Sequence, residues 1–271
     1  MRWIMGCSLV MAVAGLAAGA MDQPNPGPAT QPTTMAATTG PTTSVSGTVD
    51  YQGGLSLRKP DLTRVVVYLA SDARLDALPV QSEPYVVAQH NRMFVPNFIA
   101  IPKGAKVDFP NWDHFYHNVF SRSAAAPAFD LDRYPYGYSK TRTFDKIGVV
   151  QIFCNIHPYM RSIIFVTPNV CFTRVNADGH FDLAGVPPGH YEIVAWNDRC
   201  DEERQAIDVG AAGLNGVALH LHESRQAIID NDSPNHDNDY GVDRGLGVKR
   251  EHLGLPVVPD VHPATEKPPR N

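Results

Sequence analysis

Between residues 45 and 223 the chain is a succession of short β-branched or aromatic runs cut apart by turn residues, and no stretch keeps a 3.6-residue apolar period over three turns. The runs are VSGTV (45–49), RVVVYL (64–69), RMFVPNFIAI (92–101), KVDFP (106–110), HNVF (117–120), GVVQIFC (148–154), RSIIFV (161–166), then CFTRV, HFDLAGV and HYEIVAW. Their lengths are those of sheet strands. Only LTRVVVYLASDARLDAL (62–78) has room for one short helix. With 23 Pro and 21 Gly among 271 residues, the composition speaks against a helical bundle. The expected fold is all-β: a two-sheet sandwich over 45–168 and, after a composition break near Pro168, a second small β unit over 169–223.

The two ends read differently. Residues 1–20 look like a secretory signal, with Arg2 as the charged head, an apolar run from Trp3 to Ala17, and small residues Ala18-Gly19-Ala20 at the cleavage point. The run is too short for a membrane span, which needs about 20 apolar residues. Cys7 has too few residues ahead of it to be a lipidation site. Residues 21–44 form a Pro/Thr-rich linker, and 224–271 a polar tail that cannot bury enough surface to offset its ordering entropy. Export places the mature chain in an oxidising compartment, the bacterial periplasm. A formal net charge of -5 gives no footprint for nucleic acid.

The chemistry concentrates at Cys154-Asn155-Ile156-His157-Pro158-Tyr159-Met160, a thiol, an imidazole and a thioether within one short loop directly after an apolar strand. Thiolate and thioether are soft donors suited to copper, and a blue-copper site uses two His, one Cys and a weak axial Met. The second His has to come from elsewhere. His117, at the head of HNVF, is the best candidate, with His114 as the alternative. Zinc, or an inert buried Cys154, would be the blander account of the same residues.

Together, FVPNFIAIPKGAKVDFPNWDHFYHNVF and GVVQIFCNIHPYMRSIIFV resemble the cupredoxins, and the Cys-x-x-His-Pro-aromatic-Met loop is similar to that of the amicyanin and plastocyanin-like blue copper proteins of methylamine-utilisation type. The resemblance covers Phe94 to Val166 and, more loosely, the strands from Val45 onward. It implies a Greek-key sandwich holding one mononuclear type 1 copper, with His117, Cys154 and His157 as equatorial ligands and Met160 axial. It also implies that Asn118 ties the two ligand loops together near the Cys154 sulfur, with Pro158 in the ligand loop and Tyr159 on a surface patch beside His157. The chain departs from the amicyanin loop at Ile156, and its segment Ser121–Ser139 is longer.

A protein of this kind is an electron carrier rather than an enzyme. It would be a monomer that meets its redox partner, a cytochrome or dehydrogenase, only transiently. No G-x-S-x-G, H-E-x-x-H or P-loop pattern is present.

FTRVNADGHFDLAGVPPGHYEIVAW, with its Asp178-Gly179 and Pro188-Gly189 turns, resembles the carboxypeptidase-regulatory or transthyretin-like β domain. The alternative function follows from it: an envelope interaction or scaffold protein in which copper is structural or stored. Cys171, near the first strand of this unit, and Cys200, just after its third, are expected to form a disulfide. His180 and His190 are read as surface imidazoles; His220 and His222 alternate along the last strand and share a face, but no Cys or carboxylate pair is placed with them to make a second metal site; and the Asp/Asn run 230–243 lacks the spacing of a calcium loop.

Overall fold

The computed structural model describes residues 43–53, 61–123 and 128–224, together with the backbone of Val242–Asp243 and Val248–Lys249, which pair as a two-residue antiparallel ladder. The signal segment, the linker up to residue 42 and the rest of the tail lie outside the described residues. The described chain is built of strands in the order β1 (Thr43–Gln52), β2 (Val66–Leu69), β3 (Tyr85–Val86), β4 (Ala88–His90), β5 (Met93–Val95), β6 (Phe98–Pro102), β7 (Ala105–Pro110), β8 (His117–Ser121), β9 (Phe129–Tyr134), β10 (Ser139–Phe144), β11 (Gly148–Phe153), β12 (Arg161–Thr167), β13 (Phe172–Arg174), β14 (His180–Val186), β15 (Gly189–Trp196), β16 (Glu203–Val209) and β17 (Leu214–His222). The helical potential of 62–78 is realised as a 3-10 turn, Leu62–Arg64, and a single α turn, Ala73–Asp76, on either side of β2. In both, an Asp side chain accepts a backbone N–H of the first turn, Asp61 from Thr63 and Asp72 from Arg74.

Four sheets stack into two sandwiches. In one, β14-β1-β17 faces β13-β2-β15-β16 across a core that includes Val45, Val67, Leu69, Leu183, Ile193 and Leu219. In the other, β6-β12-β11-β8-β9 faces β10-β7-β3 across Ile99, Val107, Phe109, Val119, Ile152 and Ile164. The all-β expectation holds. The grouping of residues 45–69 with the strands up to 168 does not. β1 pairs in parallel with β17, Asp50 opposite His220, and antiparallel with β14, while β2 lies between β13 and β15. Val45, Val49, Val65, Val67, Leu69 and Leu75 therefore share their core with Leu183 and Ile193 rather than with the strands that follow them. The second sandwich is spliced into the first, between β2 and β13. Gly47 shows how tightly β1 is held: a Cβ there would lie 2.0 Å from the Val217 carbonyl oxygen.

The two sandwiches meet along strands buried on both faces. In β2, Val67 and Leu69 face one core while Val66 and Tyr68 face the other way; in β6, Ile99 and Ile101 point inward while Phe98 and Ala100 point outward. The outward sets pack together with Phe165, Val194 and Trp196. The Phe165 and Trp196 rings stack 4.0 Å apart at 5°, and Phe98 stacks on Trp196 at 6.2 Å. The guanidiniums of Arg64 and Arg174 lie 4.9 and 5.4 Å from the Phe98 centroid.

The expected Cys171–Cys200 bridge is absent: both are free, buried thiols. The strand register gives the reason. The Cys171 carbonyl accepts the Leu69 N–H, and Leu69 pairs with Ile193, whereas Cys200 follows the opposite end of β15, where Trp196 pairs with Val66. Three residues of strand separate the two levels by roughly 10 Å, beyond the Cα separation a disulfide spans. Each thiol acts instead as a small apolar group, and burial pushes both up to about 12. Unfolded in the absence of reductant, the protein is expected to take one alkyl group on each of Cys154, Cys171 and Cys200 by mass spectrometry; protection of the latter two would contradict the register.

Replacing Trp196 by Ala empties the stack between the sandwiches. A loss of about 3–5 kcal/mol is expected in equilibrium urea unfolding, and a change below 1 kcal/mol would show that the packed faces contribute little.

Candidate metal centre

β11 and β8 bring the chemistry to one end of the second sandwich. Cys154 follows β11 directly, His117 opens β8, and the two strands pair at Phe153 and Phe120. The loop 154–160 closes on itself: the Cys154 N–H donates to the Met160 carbonyl at 3.3 Å and the Met160 N–H to the His157 carbonyl at 2.9 Å. This turns His157 back over Cys154 and leaves Met160 buried in the same core as Cys154. Pro158 and Tyr159 stay outside, Tyr159 at 87% exposure.

His117 Nδ1 and His157 Nδ1 lie 3.1 Å apart, and each is 3.9 Å from Cys154 Sγ. The point equidistant from all three atoms is about 2.1 Å from each, which falls between metal–nitrogen and metal–thiolate bond lengths of ~2.0–2.3 Å. These three residues are the one such donor cluster among the described residues. A soft thiolate with two imidazoles, and a buried thioether at the end of the same loop, fits copper. Both His117 and Cys154 are fully buried, while His157 is half-buried and forms the edge of the site.

The electrostatics favour an ionised sulfur. Burial alone would raise the Cys154 thiol, but the bond to His117 and the backbone N–H groups of Asn118, Ile156 and His157 outweigh it and hold it below the usual thiol range. Burial alone would lower His117, and here Cys154 and Asp113 outweigh it and raise it. His157 is lowered, by burial first and then by the charge of His117 and Arg92. The second imidazole is therefore biased toward the neutral form, in which it can donate a lone pair.

Asn118 sits where the two loops meet. Its Oδ1 accepts the Asn155 N–H at 3.3 Å and its Nδ2 donates to Asp130 Oδ1 at 2.5 Å. His114 does not reach the cluster; its ring stacks on Tyr136 at 4.4 Å. His190 and His220 pair with Asp208 and Asp50 on the other sandwich.

Three residues with a part in the site escape a sequence reading. The Phe115 ring packs edge-on against His117 at 5.1 Å and against His157 at 5.6 Å, with the Arg92 guanidinium 5.2 Å from its centroid. Asn111, fully buried, ties down the loop that delivers His117, donating to the carbonyls of Phe115 and Tyr134 and accepting the Asp113 N–H. Asp113 accepts from His117 Nε2 at 2.7 Å. The available signal was Asn-x-Asp followed by His four residues after the Asp, a pattern common in ordinary turns.

No protein-family model and no curated protein matches the chain. Among solved structures it is similar to a copper-containing nitrite reductase from Thermus scotoductus SA-01, at 29% identity over 35% of this chain and 24% of that one, with a TM-score of 0.31. It is similar also to a purple cupredoxin from Nitrosopumilus maritimus, at 20% identity over 31% of this chain and 99% of that one, TM-score 0.28. Amicyanin from Paracoccus versutus matches at 21% identity over 38% of this chain and 97% of its own, TM-score 0.30. The chain thus spans about a quarter of the nitrite reductase and nearly all of the two small proteins.

Asn118→Ala removes the acceptor for the Asn155 N–H and the donor to Asp130. A loss of roughly 1–3 kcal/mol in urea unfolding of the metal-free protein is expected; unchanged stability would mean that the two loops are held together without it.

Proposed function

We propose that this chain is a copper-binding redox protein. More particularly, it is a periplasmic electron-transfer protein with one type 1 copper that His117, Cys154, His157 and Met160 would hold. The observation that carries the reading is the convergence of two imidazole Nδ1 atoms and a buried thiol sulfur on one point about 2.1 Å from each.

Copper bound there supplies a one-electron Cu(II)/Cu(I) couple. The chain's own residues hold the donors still and control access. Three backbone N–H groups aim at the Cys154 sulfur, and Asn118 links the loop after Cys154 to the strand of His117. Rigid support of this kind would keep the donor positions nearly the same in both oxidation states and so keep reorganisation small. With Met160 as the fourth donor no position remains for a substrate, which supports a carrier over an enzyme.

His157 presents its ring edge outward. Around it lie Pro158, Tyr159, Ile156, Phe115 and Tyr116, all exposed, as a small apolar collar. A patch of this size suits a partner that must leave after each transfer, such as a cytochrome or dehydrogenase met by a monomeric carrier. Export rests on the signal-like residues 1–20, and no helix among the described residues is long and apolar enough to cross a membrane. The host sandwich, by its hairpin motif, serves as a transthyretin-like interaction module.

Loaded with Cu(II), the protein is expected to show an intense visible thiolate-to-copper band that bleaches on reduction and returns on reoxidation, and Cys154→Ser abolishes it. A colourless wild type that holds copper no more tightly than Cys154→Ser would sink the proposal.

A further inference from the structure

Asp113 is 6% exposed, and its carboxylate gathers three N–H donors from two parts of the chain. Oδ1 accepts the Asn91 N–H at 2.7 Å; Oδ2 accepts the Arg92 N–H at 2.9 Å and His117 Nε2 at 2.7 Å. Asn91 and Arg92 are the two residues of the tight turn that joins β4 to β5, where His90 pairs with Met93. Both are left-handed, at φ 53° and 58°. That conformation is tolerated by Asn but unfavourable for Arg, and it aims the two successive N–H groups at one anion. The turn thus acts as a cradle for the Asp113 carboxylate. The carboxylate is fixed from its own backbone as well, through the Asp113 N–H to Asn111 Oδ1 at 2.9 Å.

A carboxylate is acceptor-only, so the ring nitrogen facing it must carry the proton. That nitrogen is Nε2, and in the neutral ring the lone pair is then left on Nδ1, the atom that faces His157 Nδ1 and the Cys154 sulfur. We infer that Asp113 is the positioning residue of this centre: it locks His117 in the Nδ1-donating tautomer and orientation, and it holds a buried negative charge one imidazole away from the metal. The inference rests on the copper reading above. A fixed anion at that position favours the more highly charged oxidation state, so it lowers the reduction potential relative to the same centre without it. The β4–β5 turn is part of the site through this carboxylate, although no residue of the turn touches a donor atom.

Asp113→Asn separates charge from shape. An Asn oxygen can replace Oδ2 toward His117, but its NH2 then confronts the Asn91 N–H. The expected result is a higher reduction potential by protein-film voltammetry, and copper affinity lower by roughly 10- to 100-fold in chelator competition, with the visible band retained. Asp113→Glu, which keeps the charge, is expected to return the potential toward that of the wild type. A readout that needs neither copper nor a variant is the ¹H–¹⁵N correlation spectrum of the metal-free wild type at alkaline pH, where neutral His117 should carry its proton on Nε2. An unchanged potential in a folded Asp113→Asn protein, or an Nδ1–H tautomer in the metal-free wild type, would overturn the inference. A wild type without the visible band would instead sink the copper reading, and the inference with it.

Discussion

Within the five-stranded sheet β6-β12-β11-β8-β9, β6 and the second half of β12 are buried on both faces, and the rest of the molecule is arranged around that constraint. Its inner side chains, Ile99, Ile152, Ile164 and Val166, fill one sandwich; its outer ones, Phe98, Ala100 and Phe165, close against Trp196 and Tyr68 of the other. Strands clamped on both faces cannot slip register by one residue without driving one apolar set into the place of the other. The metal centre inherits that rigidity. Cys154 continues the inner face of β11 beyond Ile152, and His117 opens the adjacent strand, so the positions of sulfur and first imidazole are fixed by packing before any metal binds.

Placing a thiol and an imidazole in such a core costs desolvation, and the structure offsets it locally. The sulfur is met by three backbone N–H groups and by His117, and His117 in turn is met by Asp113. A chain of partners thus runs from the turn at Asn91–Arg92 through a carboxylate and a ring to a thiolate. Asp113 itself would be raised by burial, but the Arg92, His117 and Asn91 donors outweigh that and hold it below the usual carboxylate range. Buried polar groups in a connected, satisfied network confer order, whereas the same groups half-satisfied would loosen the loop end.

Part of this was legible in the residues alone. Short β-branched runs with Gly and Pro between them specify an all-β chain, and Cys-x-x-His-x-x-Met with an upstream His specifies donors of one chemical kind. The strands hardest to classify by alternation were FIAIP and VVYL, because both of their faces are buried and neither shows the polar half of the pattern. The spliced topology was not legible either. β1 and β17 are neighbours in space, with Asp50 bonded to a His 170 residues away, and no local pattern encodes so distant a parallel partner. The disulfide expectation failed for a related reason. Cys171 and Cys200 flank one sequence segment, but the register puts them at opposite levels of the sheet.

Asp113 marks the boundary of such reading most sharply. In NWDHFYHNVF its type and spacing are those of any polar turn, and its partner amides at Asn91 and Arg92 lie about twenty residues upstream in a turn without Gly. Two left-handed residues that are not Gly form a costly turn unless something holds them, and the carboxylate does. Local strain in one loop and the orientation of a ring in another are therefore two ends of one set of hydrogen bonds. Asn91→Gly would relieve only one of the two positions, since Arg92 stays left-handed at φ 58°, and it would leave the cradle, since the N–H groups would still converge on Asp113. The carboxylate, not the turn sequence, is the element on which the ring depends.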